Sequence, residues 1–539
     1  MATRPDQSAL GLLARRKAGV LAACVALLVV CGVSAVKVRA QDASRDPSRD
    51  PSGDPGRDQT TVPAETPPTF AYTTPADKDY LRAMLELSGV VGFGFLQYIT
   101  EQDIVRNYDV NYSWKMFRGK LLFEQLKLDT NHLGTNFIGH PIGGTSYYMA
   151  ARGNRLSIAE SFGFTVAGST LWEYFGEVRE IVSINDMIVT SLAGPAIGEP
   201  MTQLGAFFDR SSPALRNRIL GVFFAPVKSI NDLLDGRTLA RSQHLDYYGF
   251  PADEWHQFDL STGVGNTWEQ HPTRGVGSSV TQEWRYSIAS HLARLPDYIG
   301  AGHHSLVFSD GNVSSFEVSG AVTEQRVVDL HVETQLVLVG HYFRDAHRDS
   351  YGKLWGYGTQ IGVTTGYELT FHDYDREGFR PIDQIAGVEP LGLLFEHRGA
   401  FGAGRIFTRL SATSDFAGVR PYALRMYRQR ADKVVLPYVL DQHLYYYGVG
   451  GRLMGHFGVS AGLFEVEAKL RFEGYSALEE PVALADQRAS VEGRVSCEIP
   501  YTAARVAGFI ERRSRWGYMG PSQAARNELS LGVEIGARY

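Results

Sequence analysis

The chain has 539 residues, a mean hydropathy of −0.17 and a formal net charge of −6, so it has room for two to four domains. A pI near 6.2 excludes the basic surface that nucleic-acid binding requires. Beyond the N-terminus no run is apolar for 18 residues, which excludes a protein built from several membrane-spanning helices. A membrane β-barrel stays possible, because its strands hide their apolar character by alternation.

The N-terminus predicts export. Arg15, Arg16 and Lys17 precede an apolar run over 18–36, and Val38-Arg39-Ala40 offers a small-residue cleavage site. We therefore predict a signal peptide over 1–40, with an uncleaved inner-membrane anchor as the alternative. Residues 41–76 repeat Arg-Asp-Pro-Ser units and read as a disordered linker.

From 77 to 236 the apolar residues recur at helical spacing, which predicts a helical module. The candidate helices are 77–107, 112–127, 136–152, 157–178, 185–192 and 213–224. A Ser followed three residues later by Asp occurs twice, at Ser183–Asp186 and Ser229–Asp232, and both are read as helix caps.

From 254 to 539 the period is two, which predicts strands. The clearest are 328–342, 355–371, 466–473 and 489–498, and weaker candidates lie near 255–265, 283–293, 314–322, 402–412, 419–427, 437–455 and 502–512. In the segment 328–342, Tyr342 is assigned to the apolar face and His341 to the polar face. Ionisable residues on one face of many strands favour a barrel of about twelve strands with a hydrated or plugged lumen.

The last thirteen residues, Asn527 to Tyr539, alternate almost without error. Leu529, Leu531, Val533 and Ile535 share one face with Ala537 and Tyr539, while charged and small residues occupy the other. A terminal strand that ends on an aromatic residue resembles the assembly signal of bacterial outer-membrane barrels. The pattern predicts an outer-membrane protein whose last strand closes the barrel.

Candidate functional residues are concentrated between 136 and 199. Asn136, His140 and Tyr147 lie three or four residues apart with Gly143 and Gly144, on one predicted helix face. Further polar residues follow in chain order: Tyr148, Arg152, Glu173, Glu177, Asp186 and Glu199.

These residues resemble a known family. Asn136-x-x-x-His140-Pro141-x-x-Gly144-x-x-Tyr147-Tyr148, then Trp172-Glu173-Tyr174-x-x-Glu177, Ser183-x-x-Asp186 and Gly198-Glu199, are similar to a bacterial envelope family catalogued as a domain of unknown function. The resemblance covers about residues 130–210. It implies an exported protein that ends in a barrel, and it implies no established activity.

Three interpretations of these residues stay open. In the first, His140 is a general base oriented by Glu173 or Asp186 and acts as a hydrolase or acyltransferase on envelope lipid. The candidate ligand-binding residues would then be Asn136, Tyr147, Tyr148, Arg152, Glu177 and Glu199. In the second, the polar residues satisfy one another between packed helices. In the third, they bind a ligand without chemistry. No His-Glu-x-x-His motif or paired His occurs at ligand spacing, so no metal or cofactor is predicted.

The sequence thus predicts an α+β protein: a helical module that plugs or caps a C-terminal transmembrane antiparallel β-barrel. The preferred function is non-catalytic, either solute passage or maintenance of outer-membrane lipid, with the lipid enzyme and a structural envelope scaffold as alternatives. The expected partners are outer-membrane lipid, the barrel assembly machinery and a small solute or lipid ligand.

Overall fold

The computed structural model describes residues 78–100, 114–122, 126–177, 182–237, 242–270, 280–373, 382–430, 436–478 and 482–539. The predicted signal peptide and linker lie outside these residues. The helices are α1 (Tyr80–Thr100), α2 (Trp114–Leu121), α3 (His140–Gly153), α4 (Ile158–Leu171), α5 (Ile184–Ala193), α6 (Glu199–Arg210), α7 (Leu215–Phe224) and α8 (Pro226–Leu234). Short π-helical turns at Thr135–Gly139, Trp172–Gly176 and Gly194–Gly198 join several of them. None of the described helices has both the length and the apolarity that a membrane crossing demands.

The strands are a short parallel pair, β1 (Leu126–Lys127) with β2 (Val182–Ser183), and a large antiparallel sheet. That sheet contains β3 (Trp255–Gln270), β4 (Val280–Ala293), β5 (Gly302–Phe308), β6 (Val313–Val322), β7 (Val327–Arg348), β8 (Leu354–Asp373), β9 (Ile382–Gly402), β10 (Gly404–Val419), β11 (Tyr446–Ala461), β12 (Phe464–Ala477), β13 (Leu484–Glu498), β14 (Ala504–Met519) and β15 (Ser522–Arg538). A further helix, α9 (Leu424–Arg430), follows β10.

Twelve of these strands form a closed ring. The first strand, β3, pairs with the last, β15, and β7 pairs with β8, so no edge remains in the ring. The thirteenth strand, β5, pairs only with the Gly340–Ala346 end of β7 and lies outside the ring. The predicted barrel of about twelve strands is confirmed. The segment 419–427 was wrongly predicted as a strand, since α9 begins within it.

The terminal strand has the two faces that its alternation predicts. Val533 and Ile535 are each 57% exposed on the outer wall, whereas Glu528 and Glu534 are buried on the inner face. Its ladder runs from Asn527 to Arg538 along β3 and along the whole of β14. The last strand therefore closes the ring.

A bulge in β7 corrects one predicted face. The register shifts between Val337 and Val339, and the extra residue reverses the alternation beyond it. Tyr342 therefore lies inside the wall, with 1% of its surface exposed, and His341 lies on the outer side. Periodicity alone placed them the other way round, because it assumes an unbroken ladder.

Ion pairs cross the barrel lumen. Arg513 on β14 contacts Asp329 on β7 at 2.5 Å, and His372 on β8 contacts Glu528 on β15 at 3.2 Å. Each pair joins strands that are five positions apart in the ring of twelve, so the side chains meet across the lumen. Around them lies a cavity of about 440 Å³, and every residue that lines it belongs to a strand of the barrel.

The helices pack on the outer wall of the barrel. One row of residues that are register partners on adjacent strands, a hydrogen-bonding row of the sheet, crosses seven strands: Phe258, Ser290, Phe316, Thr334, Tyr367, Val388 and Phe416. The sequence neighbours Glu368, Glu389 and Asp415 point inward, where all three bind Arg452. Successive strand residues face opposite sides, so the row itself faces outward.

Two apolar clusters join the helices to this row. Phe137, Val189 and Ala193 pack with Tyr367, Val388 and Phe416, and the Tyr367 hydroxyl donates to the Phe137 carbonyl at 2.6 Å. Leu204, Phe207, Phe208 and Phe224 pack with Phe258 and Phe316. We call helices α1–α8 the helical jacket. The expectation that this module plugs or caps the lumen was wrong: the apolar outer row that it covers is a more favourable surface than the ionic lumen.

Two other local predictions also fail. Helix α6 was not predicted, although Gly198-Glu199-Pro200 carries a proline in its first turn, a recognised start signal. Ser229 is not a cap, because Pro226 starts α8 three residues earlier. Ser183 does cap α5, since its hydroxyl accepts from the Asp186 backbone N–H at 3.3 Å.

Helices α3 and α5 meet at a glycine. A Cβ at Gly144 would lie 1.9 Å from the Thr190 carbonyl oxygen, whereas one at Gly143 would meet nothing within 4 Å. Gly144→Ala should therefore lower the free energy of unfolding by about 1–3 kcal/mol through overpacking. The matched Gly143→Ala should be neutral or stabilising by up to about 1 kcal/mol, because alanine favours the helix. Urea titration of both variants in lipid vesicles tests this, and equal midpoints would contradict the close approach.

Candidate functional site

Apart from Tyr147, Glu173 and Glu177, the predicted site residues fall into two groups at opposite ends of α3. The helix begins at His140 with Pro141 in its first turn, and Arg152 lies in its last turn. Fourteen residues of helix separate their surroundings by roughly 20 Å. The sequence placed Asn136, His140 and Tyr147 on one face, but that face extends along the helix and its side chains do not converge on one point.

The first group, the acidic cluster, contains Asp129, Asn136, His140, Asn185 and Asp186. His140 Nε2 lies 3.3 Å from Asp186 Oδ1, and its Nδ1 lies 3.2 Å from the Thr190 hydroxyl. The Asn136 amide donates to Asp129 Oδ1 at 2.6 Å. The Asn185 amide joins the two carboxylates, donating to Asp186 at 2.8 Å and to Asp129 at 3.2 Å.

Two tyrosines of the barrel complete the acidic cluster. Tyr447 donates to Asp129 Oδ1 at 2.5 Å, and Tyr445 donates to the Asn131 carbonyl at 2.8 Å. The Asn136 amide contacts both hydroxyls. Tyr446, between them, points inward to Asp486. The cluster therefore fastens the start of α3 to the outer wall at β11.

Glu173 borders the acidic cluster. Its carboxylate accepts the Ser183 backbone N–H at 2.8 Å, directly before the cap of α5. The neighbouring Glu177 accepts from the Trp172 indole at 3.0 Å. Lys120 donates to the backbone carbonyls of both glutamates, at 2.9 and 2.6 Å. Of the two predicted orienting groups, the structure brings Asp186 within hydrogen-bond range of His140.

The second group, the Glu199 cluster, lies at the other end of α3. Glu199 has no exposed surface, and it accepts a two-point contact from Arg152 at 2.7 and 2.8 Å. The Tyr148 hydroxyl donates to the same carboxylate at 2.7 Å, and Gln203 donates to it as well. Arg294, after β4, donates to Gln203. Three of the predicted ligand-binding residues, Tyr148, Arg152 and Glu199, are thus bound to one another, and Gln203 ties them to the barrel through Arg294.

Tyr147 belongs to neither group. Its ring packs against Gly168 of α4, where an added Cβ would approach it to 2.9 Å. Burial raises its pKa to about 12, with the nearby Glu173 and Glu177 adding to the shift. At neutral pH the phenol is therefore a neutral packing residue between α3 and α4.

Burial controls the protonation of the His140–Asp186 pair. Burial lowers the pKa of His140 to about 4, although Asp129 opposes the shift. Burial also raises the pKa of Asp186 well above its ordinary value, and the carboxylates of Asp129 and Glu173 add to that shift. At neutral pH the imidazole is neutral, which would suit a base. Yet its contacts are an aspartate and a threonine hydroxyl within the helix packing, and Asp186 is only 1% exposed.

The pKa of His140 predicts an acid-sensitive fold. Between pH 6.5 and about 4, this imidazole is protonated in the unfolded chain but stays neutral in the folded protein. The free energy of unfolding therefore falls as the pH falls through that window. His140→Gln should remove this part of the pH dependence. Urea midpoints measured from pH 7 to pH 4.5 test it. Parallel curves for the variant and the wild type would show that His140 does not contribute.

By contrast, the pKa of Glu199 is low. Burial alone would raise it, but the Arg152 guanidinium, together with the Tyr148 and Gln203 donors, holds it below its ordinary value. The group is a charged carboxylate matched by an arginine that is itself 3% exposed. Such a buried pair is costly to break from one side.

Six residues of the two groups were not predicted as site residues from the sequence: Asp129, Asn185, Gln203, Arg294, Tyr445 and Tyr447. The run Tyr445-Tyr446-Tyr447 could have indicated a contact on the outer wall, because consecutive aromatic residues on a strand face both of its sides. Nothing in the sequence around Arg294 indicates its contact with Gln203. Across the described ranges, no group of three or more His, Cys, Asp or Glu side chains is arranged to hold a metal ion.

Comparison with known proteins adds a family and a set of barrels. Residues 125–227 match a family described as a domain of unknown function, DUF3943. No curated protein matches the chain. The match covers the jacket helices α3–α7 and both polar groups, so the residues that carry the resemblance lie within it.

Solved structures similar to the chain are outer-membrane proteins. OmpT, an outer membrane protein of Vibrio cholerae, is 8% identical, with 53% of this chain and 97% of that one covered and a TM-score of 0.22. The translocator domain of the autotransporter NalP from Neisseria meningitidis is 12% identical, with 58% and 94% covered and a TM-score of 0.20. An anion-selective porin from Comamonas acidovorans is 9% identical, with 53% and 99% covered and a TM-score of 0.14. The fold described above rests on the strand pairing of the chain itself.

Proposed function

We propose that this protein is a non-catalytic outer-membrane barrel that acts on the lipid side of its wall, in the maintenance of outer-membrane lipid. The observation that carries the proposal is the outward hydrogen-bonding row covered by the jacket. The jacket, which packs on this row, faces the medium around the barrel and not the lumen. Signal-dependent export and insertion by the barrel assembly machinery are parts of the same proposal.

The apolar outer wall supports the membrane location. On the strands that the jacket leaves uncovered, large apolar residues are exposed: Val466 (55%), Val495 (54%), Val533 (57%) and Ile535 (57%). Their sequence neighbours inside are charged and paired, as with Glu467, Arg494 and Glu534. An apolar exterior over a polar interior is the pattern that a bilayer requires of a barrel.

The lumen argues against free solute passage. Arg488 and Arg515 both reach Asp383 from the other side of the ring, at 3.1 and 3.0 Å, and add to the ion pairs that cross the lumen. In planar bilayers the full-length protein should therefore give no discrete conductance steps. The conductance of Arg513→Ala, which lacks the contact with Asp329, is measured in parallel. Stable open steps in the wild-type protein would favour the second candidate, a pore through the 440 Å³ cavity.

The lipid-enzyme alternative depends on His140. Both ring nitrogens already have partners in the helix packing, and Asp186 and Glu173 are each 1% exposed. The deciding experiment compares a deletion strain complemented with wild type, His140→Gln and Glu199→Ala, scored by dye uptake across the outer membrane. We expect wild type and a folded His140→Gln to restore the barrier. Loss of restoration by His140→Gln with normal folding and insertion would overturn the non-catalytic proposal.

A further inference from the structure

The outer surface of the jacket is apolar over most of its length. On α1 the exposed large residues include Leu85 (64%), Phe93 (69%) and Leu96 (55%), and no charged residue occurs between Leu87 and Thr100. On α4 they include Phe162 and Leu171, and no charged residue occurs between Ser161 and Leu171. Helix α7 adds Ile219 and Val222, exposed by 54% and 51%. A soluble module would carry charges on these faces.

Five ion pairs of the jacket gather at one end, while Lys115 and Arg118 on α2 and Arg218 on α7 are also exposed. Lys78 pairs with Glu160 at 2.9 Å, Arg82 with Asp235 at 2.8 Å and Arg155 with Asp232 at 2.9 Å. Further along, Lys228 pairs with Asp209 at 2.5 Å, and the next residue, Arg210, pairs with Asp253 just before β3 begins. This ionic rim therefore lies at the end of the barrel that carries the start of β3 and the end of β15.

The jacket extends from one end of the barrel wall towards the other. Its contact row runs at right angles to the strands, from Phe258 near the start of β3 to Phe416 near the end of β10. Strands of membrane barrels tilt by about 35–45°, so a row perpendicular to them rises diagonally across the apolar band. The exposed helix faces consequently continue, around the barrel, the apolar surface that β12–β15 show directly.

We propose that the helical jacket is embedded in the bilayer beside the barrel, with the outer faces of α1, α4 and α7 in contact with lipid acyl chains and the ionic rim at the headgroup level. The occupant of this surface is lipid, because the surface is continuous with the uncovered barrel wall and because residues 87–100 of α1 and 161–171 of α4 include no charged side chain. The polar clusters are then buried between helices and barrel, out of contact with the acyl chains. This inference rests on the proposed membrane location and adds the position of the jacket.

Lipid-borne quenching tests the position. Single cysteines are introduced at Phe93 and Ile219 on the jacket in a full-length chain whose own Cys24, Cys31 and Cys497 are replaced by alanine, and each is labelled with bimane. Val533→Cys serves as the lipid-facing control, and Tyr351→Cys, 86% exposed in the turn between β7 and β8, serves as the aqueous control. The protein is reconstituted into phosphatidylcholine vesicles with or without bromine on the acyl chains.

We expect brominated chains to lower the fluorescence about twofold or more at Phe93→Cys, Ile219→Cys and Val533→Cys, because all three labels would lie within the hydrocarbon layer, and to leave Tyr351→Cys unchanged. Quenching at Val533→Cys alone, with the unlabelled jacket cysteines open to aqueous maleimide, would overturn the embedding and leave the membrane location standing. Unquenched jacket labels, together with oxidative cross-linking between chains of the same variants before labelling, would assign the surface to a second copy. Absence of quenching at Val533→Cys would overturn the membrane location itself.

Discussion

Glu199→Ala should lower the free energy of unfolding by about 3–5 kcal/mol, the usual cost of removing one partner of a buried ion pair. The substitution deprives Arg152 of both of its carboxylate contacts and removes the acceptor of Tyr148. These residues lie where α3, α6 and the loop after β4 meet, so the loss should loosen the jacket from the barrel. The urea midpoint in vesicles and the heat-modifiable gel migration measure it.

The matched control is Glu160→Gln. This carboxylate also pairs with a cation, Lys78, but its side chain is 31% exposed and Lys78 is 18% exposed. Exposed pairs contribute about 0–1 kcal/mol, and glutamine keeps an acceptor for the Ser157 backbone N–H at the cap of α4, so the control should be close to wild type. If the two variants were equally stable, the Glu199 cluster would not be the fastening that its geometry indicates.

Most strand predictions from local periodicity succeeded, because the side chains of a strand alternate residue by residue. The terminal segment Asn527–Tyr539 could be assigned to its two faces before any partner strand was known, and the ring places those faces as expected. The face of Tyr342 was wrongly predicted because the ladder between β7 and β8 is interrupted. The bulge at Val337–Val339 moves the Tyr342 side chain to the opposite face, and nothing in the sequence of β7 indicates the bulge.

The candidate site shows the same division. The sequence spacing assigned Asn136, His140, Tyr148 and Arg152 to one helix. The structure has His140, Tyr148 and Arg152 in α3, and Asn136 in the π-helical turn directly before it. Spacing could not tell that Glu199 would face Arg152, or that Tyr447 of a distant strand would face Asp129. Those pairs bring residues 47 and 318 positions apart into contact, and only the packing of helices on a curved wall brings them together.

The placement of the jacket was missed for an energetic reason. A helical module ahead of a barrel was expected to plug or cap the lumen. In the structure the carboxylates of the acidic cluster accept from Asn185 and from the outward Tyr447, and pairs such as Arg513–Asp329 cross the lumen. With these acidic groups hydrogen-bonded, the apolar surface of the module decides where it packs, and the outer row offers Phe258, Tyr367 and Phe416.

The largest effect inside the barrel is expected at Arg452. This side chain is 3% exposed and binds Glu368, Glu389 and Asp415 on three different strands, at 2.8, 3.2 and 2.8 Å. Arg452→Ala leaves these carboxylates without a shared cation, so the free energy of unfolding should fall by about 3–5 kcal/mol or more. Arg512→Ala, on the exposed outer side of β14, is the matched control. It removes no contact of the lumen, so it should not lower the free energy of unfolding, and in a bilayer it should raise it by up to about 2–4 kcal/mol.

The Arg452 variant also separates the barrel from the jacket. The three carboxylates are the inward neighbours of Tyr367, Val388 and Phe416, the outward residues on which the jacket packs. Local repulsion should therefore shift these strands and expose the helix contact, so a protease should cut the jacket of Arg452→Ala faster than that of Arg512→Ala. Unchanged proteolysis with a lowered urea midpoint would mean that lumen and jacket are energetically independent. Accelerated cleavage would show that the ionic lumen holds the wall in the curvature that the helices require.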